Sequence, residues 1–183
     1  MSVHKSIAHD SGPLHVTGQA RYVDDIPTPA GTLHLAFGQS SVASALLTAV
    51  DLSAVQNADG VVAVLTADDL PFANDVSPSI HDEPLLATGE VHYLGQPIFL
   101  VIATSHLAAR RAARLGNVTY DPRTPILTVE DALKADSRFE DGPRVWASGD
   151  ATAKLPECTH RISGQLDVGG QEHFYLEGPA SFV

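Results

Sequence analysis

Pro97-Ile-Phe-Leu-Val-Ile-Ala103 is an unbroken apolar run of strand length, and it constrains the fold more than any other stretch. Ser105 follows it with a helix-capping side chain, residues 106–115 read as a helix, and Gly116 ends that helix. Val118-Thr-Tyr120 then reads as a short strand. A core strand, a capped helix and a further strand in such short order predict packed layers of sheet and helix, an α/β (α+β) class.

The text upstream agrees. Residues 32–39 alternate, with Leu33, Leu35 and Phe37 on one side, which predicts a half-buried strand. Residues 45–50 read as another strand, and Val61-Val-Ala-Val-Leu65 as a fully buried one. Ser53-x-x-Gln56 and Thr66-x-x-Asp69 are capping patterns that open short helical pieces closed by Gly60 and Pro71. Thr128-x-x-Asp131 opens a further helix through Ala135. From Leu14, short strand-like pieces run to Pro27 and Pro29. Residues 71–90 contain three prolines and no sustained period, so they read as a long surface loop.

The organisation predicted is a flexible lead-in over 1–13, one domain over 14–136, a turn-rich linker over 137–149, and a separate piece over 150–183. In that piece a short helix ends near Pro156. An extended stretch over 160–177 follows, with Ile162, Leu166 and Val168 on one strand face.

Charge and composition exclude several functions. A net charge of −11 leaves little basic surface for nucleic acid. The one basic cluster, Arg110-Arg111 with Arg114, complements the dipole at the end of its predicted helix. No apolar run is long enough to cross a bilayer, and the first residues have no signal-peptide pattern. A single cysteine, Cys158, is read as a partly buried thiol; it rules out a disulfide framework and fits a reducing cytoplasm. The nine histidines are scattered without a ligand spacing, so no protein-held metal is expected. Asp24-Asp25 and Asp68-Asp69 sit at turns or helix starts and read as backbone caps. His81-Asp82-Glu83 reads as solvated loop. No phosphate loop, dinucleotide fingerprint or nucleophile elbow is present.

Val168-Gly-Gly-Gln-Glu-His-Phe-Tyr-Leu-Glu177 is the segment that carries chemistry. Gly169-Gly170 permits close backbone approach, and Gln171 offers a donor and an acceptor on one side chain. Gln171 reads either as a ligand contact or as a solvent-facing strand position. So close to Val183, the segment predicts a site whose remainder lies outside the chain.

Those residues resemble the segment entering the molybdenum site of the xanthine dehydrogenase and aldehyde oxidase family. Thr17-Gly-Gln-Ala-Arg-Tyr-Val-Asp-Asp-Ile-Pro27, Gly60-Val-Val-Ala-Val-Leu-Thr-Ala-Asp-Asp-Leu70 and Val91-His-Tyr-Leu-Gly-Gln-Pro-Ile98 resemble that family's a/b hammerhead domain. His81-Asp-Glu-Pro-Leu-Leu86 with Gly89-Glu-Val-His92 is similar to the xanthine dehydrogenase branch in its separate-subunit form. The resemblance implies a hammerhead domain over 14–136 and, over 150–183, the first strand or strands of a molybdenum-cofactor-binding domain that is otherwise absent.

It also implies oxidation of hypoxanthine and xanthine to urate with water-derived oxygen. Electrons would pass through 2Fe-2S clusters and FAD on a partner subunit to NAD, in a hetero-oligomer. The glutamine matching Gln171 binds the cofactor by hydrogen-bonding an oxygen ligand of the molybdenum. The family's catalytic glutamate lies beyond Val183, so no catalytic residue is expected here, Glu172 and Glu177 included, and the chain alone is expected to be inactive. An aldehyde oxidase or N-heterocycle hydroxylase, and a non-catalytic docking module, are the alternative expectations.

Overall fold

A computed structural model describes residues 3–138, 142, 144–175 and 177–183. Residues 139–141 and 143 of the expected linker, and Leu176 of the glycine-rich segment, lie outside the described residues. The chain divides into two compact units: Pro29–Pro143, and Met1–Thr28 with Arg144–Val183. The helices in chain order are α1 (Gly12–Val16), α2 (Ser53–Gln56), α3 (His106–Ala113), α4 (Val129–Lys134) and α5 (Ala151–Lys154). The strands are β1 (His34–Gln39), β2 (Ala45–Asp51), β3 (Val61–Leu65), β4 (Glu90–Val91), β5 (Pro97–Ala103) and β6 (Asn117–Pro122).

All six strands belong to Pro29–Pro143. They form two antiparallel three-stranded sheets, in the orders β1-β5-β3 and β4-β2-β6. This is the mixed α/β architecture expected. The apolar run is the central strand β5, which must satisfy both neighbours' ladders and therefore has no solvated edge. Its Phe99, Val101 and Ala103 are buried and share a core with Val55, Val91 and Ala112. Ser105 caps α3 by accepting from Ala108 N–H at 3.1 Å, and Ala109 and Ala112 give the helix a buried small-residue stripe.

β1 corrects the expected facing. The alternation is present, but Leu35 and Phe37 are exposed while Gly38 is buried. The cause is Phe99. A Cβ on Gly38 would stand 2.0 Å from its ring, so only glycine fits opposite, and the Gly38 face must point inward. At α2, too, the cap differs. Ser53 is the first helical residue rather than the cap, and Asp51 Oδ1 accepts both its N–H and its hydroxyl, which holds the Asp51 carboxyl below its usual range.

Residues 70–89, ahead of β4, contain no helix or strand, and their own side chains order them. Asn74 exchanges two hydrogen bonds with the backbone of fully buried Leu86, at 2.9 and 2.7 Å. Ser77 Oγ accepts the N–H groups of Asp82 and Glu83, while Asp75 accepts from Ser77 N–H and pairs with His81. These Ser77 and His81 bonds lower the Asp75 carboxyl to about 2. The paired aspartates are caps. Asp69 Oδ2 accepts from Thr66 N–H at 2.8 Å and Asp25 Oδ2 from Tyr22 N–H at 3.0 Å.

The unit Met1–Thr28 with Arg144–Val183 has no buried residue among those described. Its first part is helical where strand-like pieces were expected. Pro13 sits in the first turn of α1, where its missing N–H costs nothing, and Thr17 Oγ1 donates back to Pro13 O at 2.7 Å. Asp150 caps α5 by accepting from Ala153 N–H, and a 3-10 turn carries the chain past Pro156. Cys158 at the end of that turn is exposed, not partly buried, since this unit has no core to receive it.

Candidate functional site

The described residues of 160–183 form no ladder, and Ile162, Leu166 and Val168 are all exposed, so no single strand face is buried. A strand without a partner has no sheet to set its inward side. Phe174 departs further from a pleat, with φ of +54° in the left-handed region that non-glycine residues seldom occupy. Glu172 Oε1 accepts Phe174 N–H at 3.0 Å and holds the bend. The bend sets the rings of His173 and Tyr175 in a stack, with centroids 5.8 Å apart and planes 11° from parallel.

Glu177 has a definite partner. Its Oε1 accepts the N–H of Val23, which opens the 3-10 turn Val23–Asp25. A first-turn N–H has no acceptor within its own helix, so this carboxylate supplies one. The sequence reading missed this role, since Glu177 and Val23 stand 154 positions apart and nothing in either motif pairs them. Glu172 and Glu177 are therefore both engaged with backbone donors.

Gln171 is exposed and makes no hydrogen bond among the described residues, so both ends of its carboxamide are free. Neither Gly169 nor Gly170 has positive φ, and a Cβ on either would meet nothing within 4 Å. The close approach that the glycines allow is thus made to nothing among the described residues of this unit. Open space beside a free amide donor and acceptor fits a bulky ligand that is held mainly by other residues. A molybdenum cofactor suits this, because a carboxamide can donate to such a group without bringing charge. Among the described residues no group of three or more His, Cys, Asp or Glu side chains is placed to hold a bare metal ion, and no helix is long and apolar enough to cross a membrane.

Residues 17–124 match the family described as aldehyde oxidase and xanthine dehydrogenase, a/b hammerhead domain, over more than half of the chain. The whole chain is 36% identical over 184 residues to a xanthine dehydrogenase of Oryza sativa subsp. japonica and spans 13% of that protein. It is 41% identical over 174 residues to aldehyde oxidase 1 of Cavia porcellus, covering 94% of this chain and 13% of the relative. Among solved structures, the aldehyde oxidoreductase from Desulfovibrio desulfuricans ATCC 27774 superposes with a TM-score of 0.64 at 28% identity, over 75% of this chain and 16% of that one. The chain thus spans about an eighth of the curated relatives it matches.

Proposed function

The chain belongs to the aldehyde oxidase and xanthine dehydrogenase family, and from that premise we propose that it is part of the molybdenum-binding subunit of a xanthine dehydrogenase. The observation that carries the reading is Gln171: a free carboxamide, beside two glycines with open space around them, on a segment that follows the hammerhead domain. Gln171 would help to hold the molybdenum cofactor by donating from Nε2. The cofactor, when bound, supplies oxidation of a substrate carbon with oxygen from water. What this chain's residues do is narrower. Gln171 orients a ligand, Glu172 and the His173–Tyr175 stack fix the bend beside it, and Glu177 anchors the segment to Val23.

The substrate proposed is hypoxanthine and xanthine, oxidised to urate, with electrons leaving through 2Fe-2S clusters and FAD on a partner subunit to NAD, in the cytoplasm. His81-Asp-Glu-Pro-Leu-Leu86 and Gly89-Glu-Val-His92 support the xanthine dehydrogenase branch, as does the likeness to the rice enzyme. An aldehyde-oxidising subunit of the same build is the second reading, and the 41% identity to a guinea-pig aldehyde oxidase favours it.

The test uses a polypeptide carrying the relatives' full subunit length, together with the iron–sulfur and flavin partner. Xanthine-dependent NAD reduction is expected, and aldehyde turnover in its place would move the assignment to the second reading. Loss of both with cofactor loaded would leave a docking module. Gln171→Ala should lower turnover roughly tenfold to a hundredfold with the melting temperature unchanged. Wild-type turnover in that variant would remove Gln171 from the site.

A further inference from the structure

A cleft of about 550 Å³ opens between the start of the β1–β2 turn, α3 and β6, with the buried Phe99 ring at its base. Arg110 of α3 and Arg114, the residue that caps its C-terminus, line it on one side, and Gln39, Ser41, Asn117 and Tyr120 line it from β1, the turn after it and β6. The chain carries 22 acidic residues, yet none lines this cleft. Within Pro29–Pro143, Arg123, Lys134 and Arg138 each meet a carboxylate, whereas Arg110, Arg111 and Arg114 have no ion pair among the described residues.

Complementing the helix dipole accounts for basic residues at the end of α3, but Arg111 would serve that purpose equally. Arg111 lines a separate groove that also contains Asp59. The dipole accounts neither for the pairing of Arg110 with Arg114 in one acid-free cleft nor for the neutral donors opposite. Residues four apart on a helix have Cβ atoms about 5–6 Å apart, a spacing at which two guanidinium groups converge on one anionic group. Tyr120 Oη accepts from Ser41 N–H at 3.3 Å, which ties the turn to β6 and leaves the phenol O–H to donate. Asn117 and Gln39 add carboxamide donors without a hydrogen bond of their own among the described residues.

We propose that this cleft binds the oxyanion group of a small molecule, a phosphate or a carboxylate, between Arg110 and Arg114. The site lies wholly within Pro29–Pro143 and does not depend on the molybdenum reading. Its ligand is a small anion rather than a nucleic acid, whose backbone a chain of net charge −11 would repel outside this one cleft.

The experiment is a titration of the isotope-labelled chain with inorganic phosphate and, separately, with citrate, at constant ionic strength set by sodium chloride. Saturable shifts are expected at the amides of Ser41 and Asn117 and at the Nε–H groups of Arg110 and Arg114. Tighter phosphate binding identifies a phosphoryl ligand, and tighter citrate binding a carboxylate ligand. Arg110→Gln and Arg114→Gln should each weaken binding roughly tenfold or more, while Arg111→Gln leaves it unchanged. Shifts that never saturate, or an Arg111→Gln loss equal to that of the other two, would overturn the proposal. All three side chains are exposed, so melting temperatures should agree and separate binding from folding.

Discussion

Phe99 and Phe174 are the same residue in opposite circumstances: the first is 2% exposed and the second 89%. Phe99 lies on a central strand, beneath a glycine that leaves room for its ring, in a unit with its own core. Phe174 sits in a left-handed bend held by one carboxylate, in a unit with no buried residue among those described. Pro29–Pro143 thus contains the surfaces that define its own fold. The other unit is held by polar contacts, local ones together with the Val23–Glu177 hydrogen bond, and Trp146, Ile162, Leu166 and Val168 stay in solvent. Gln171, the residue proposed to contact the molybdenum cofactor, occurs in the part that does least to stabilise itself, which is common where a site must stay open to a ligand.

The contrast breaks most readily at the core. Phe99→Ala should cost about 3–5 kcal/mol in denaturant unfolding, since it removes a buried ring from a packed layer. Ile162→Ala should cost less than about 0.5 kcal/mol, because that side chain touches no core. Equal losses would mean that the second unit buries apolar surface after all. A finer contrast concerns the glycines. Gly38→Ala drives a methyl into the Phe99 ring and should cost about 1–3 kcal/mol, whereas Gly169→Ala meets nothing and should be nearly silent in stability.

The smallest effect is acid-dependent. Asp75 titrates near 2 in the folded chain against 3.8 ordinarily, so the folded state favours its charged form. Its contribution is therefore complete above about pH 4 and is lost as pH falls toward 2. Carbon NMR of the carboxyl should give that depressed midpoint, and exchange of the Ser77 amide should quicken in the same window. A midpoint near 3.8 would show that the Ser77 and His81 contacts do not hold in solution.

The sequence made much of the core unit legible because its signals are local and agree with one another. The apolar run, the Ser105 cap and the Thr128 cap each correspond to an observed element. The facing of β1 was not legible, since alternation gives a period but not a phase, and the phase depended on Phe99, which lies 61 positions on from Gly38. The helix α1 was missed because five residues opened by Gly12-Pro13 carry too little period to read. Residue chemistry left Gln171 as either a ligand contact or a solvent-facing position, and only the resemblance gave it a role. It has no hydrogen-bond partner among the described residues, so neither period nor spacing could fix its role. The acid-free cleft was hidden for another reason: spacing places Arg110 and Arg114 on one helix face, but only the fold brings Ser41 and Tyr120 opposite.

The hydrogen bond from Val23 to Glu177 also sets a timetable. At roughly 5–20 residues per second of synthesis, the acceptor for Val23 is made on the order of ten to thirty seconds after its donor. The intervening Pro29–Pro143 is made meanwhile. Its ladders join strands far apart in sequence, such as His34 with Ala103 and Ala45 with Pro122, which sets folding at roughly milliseconds to seconds, still shorter than that delay. The start of the chain therefore waits for a partner synthesised after the core unit, and closes after that unit has folded.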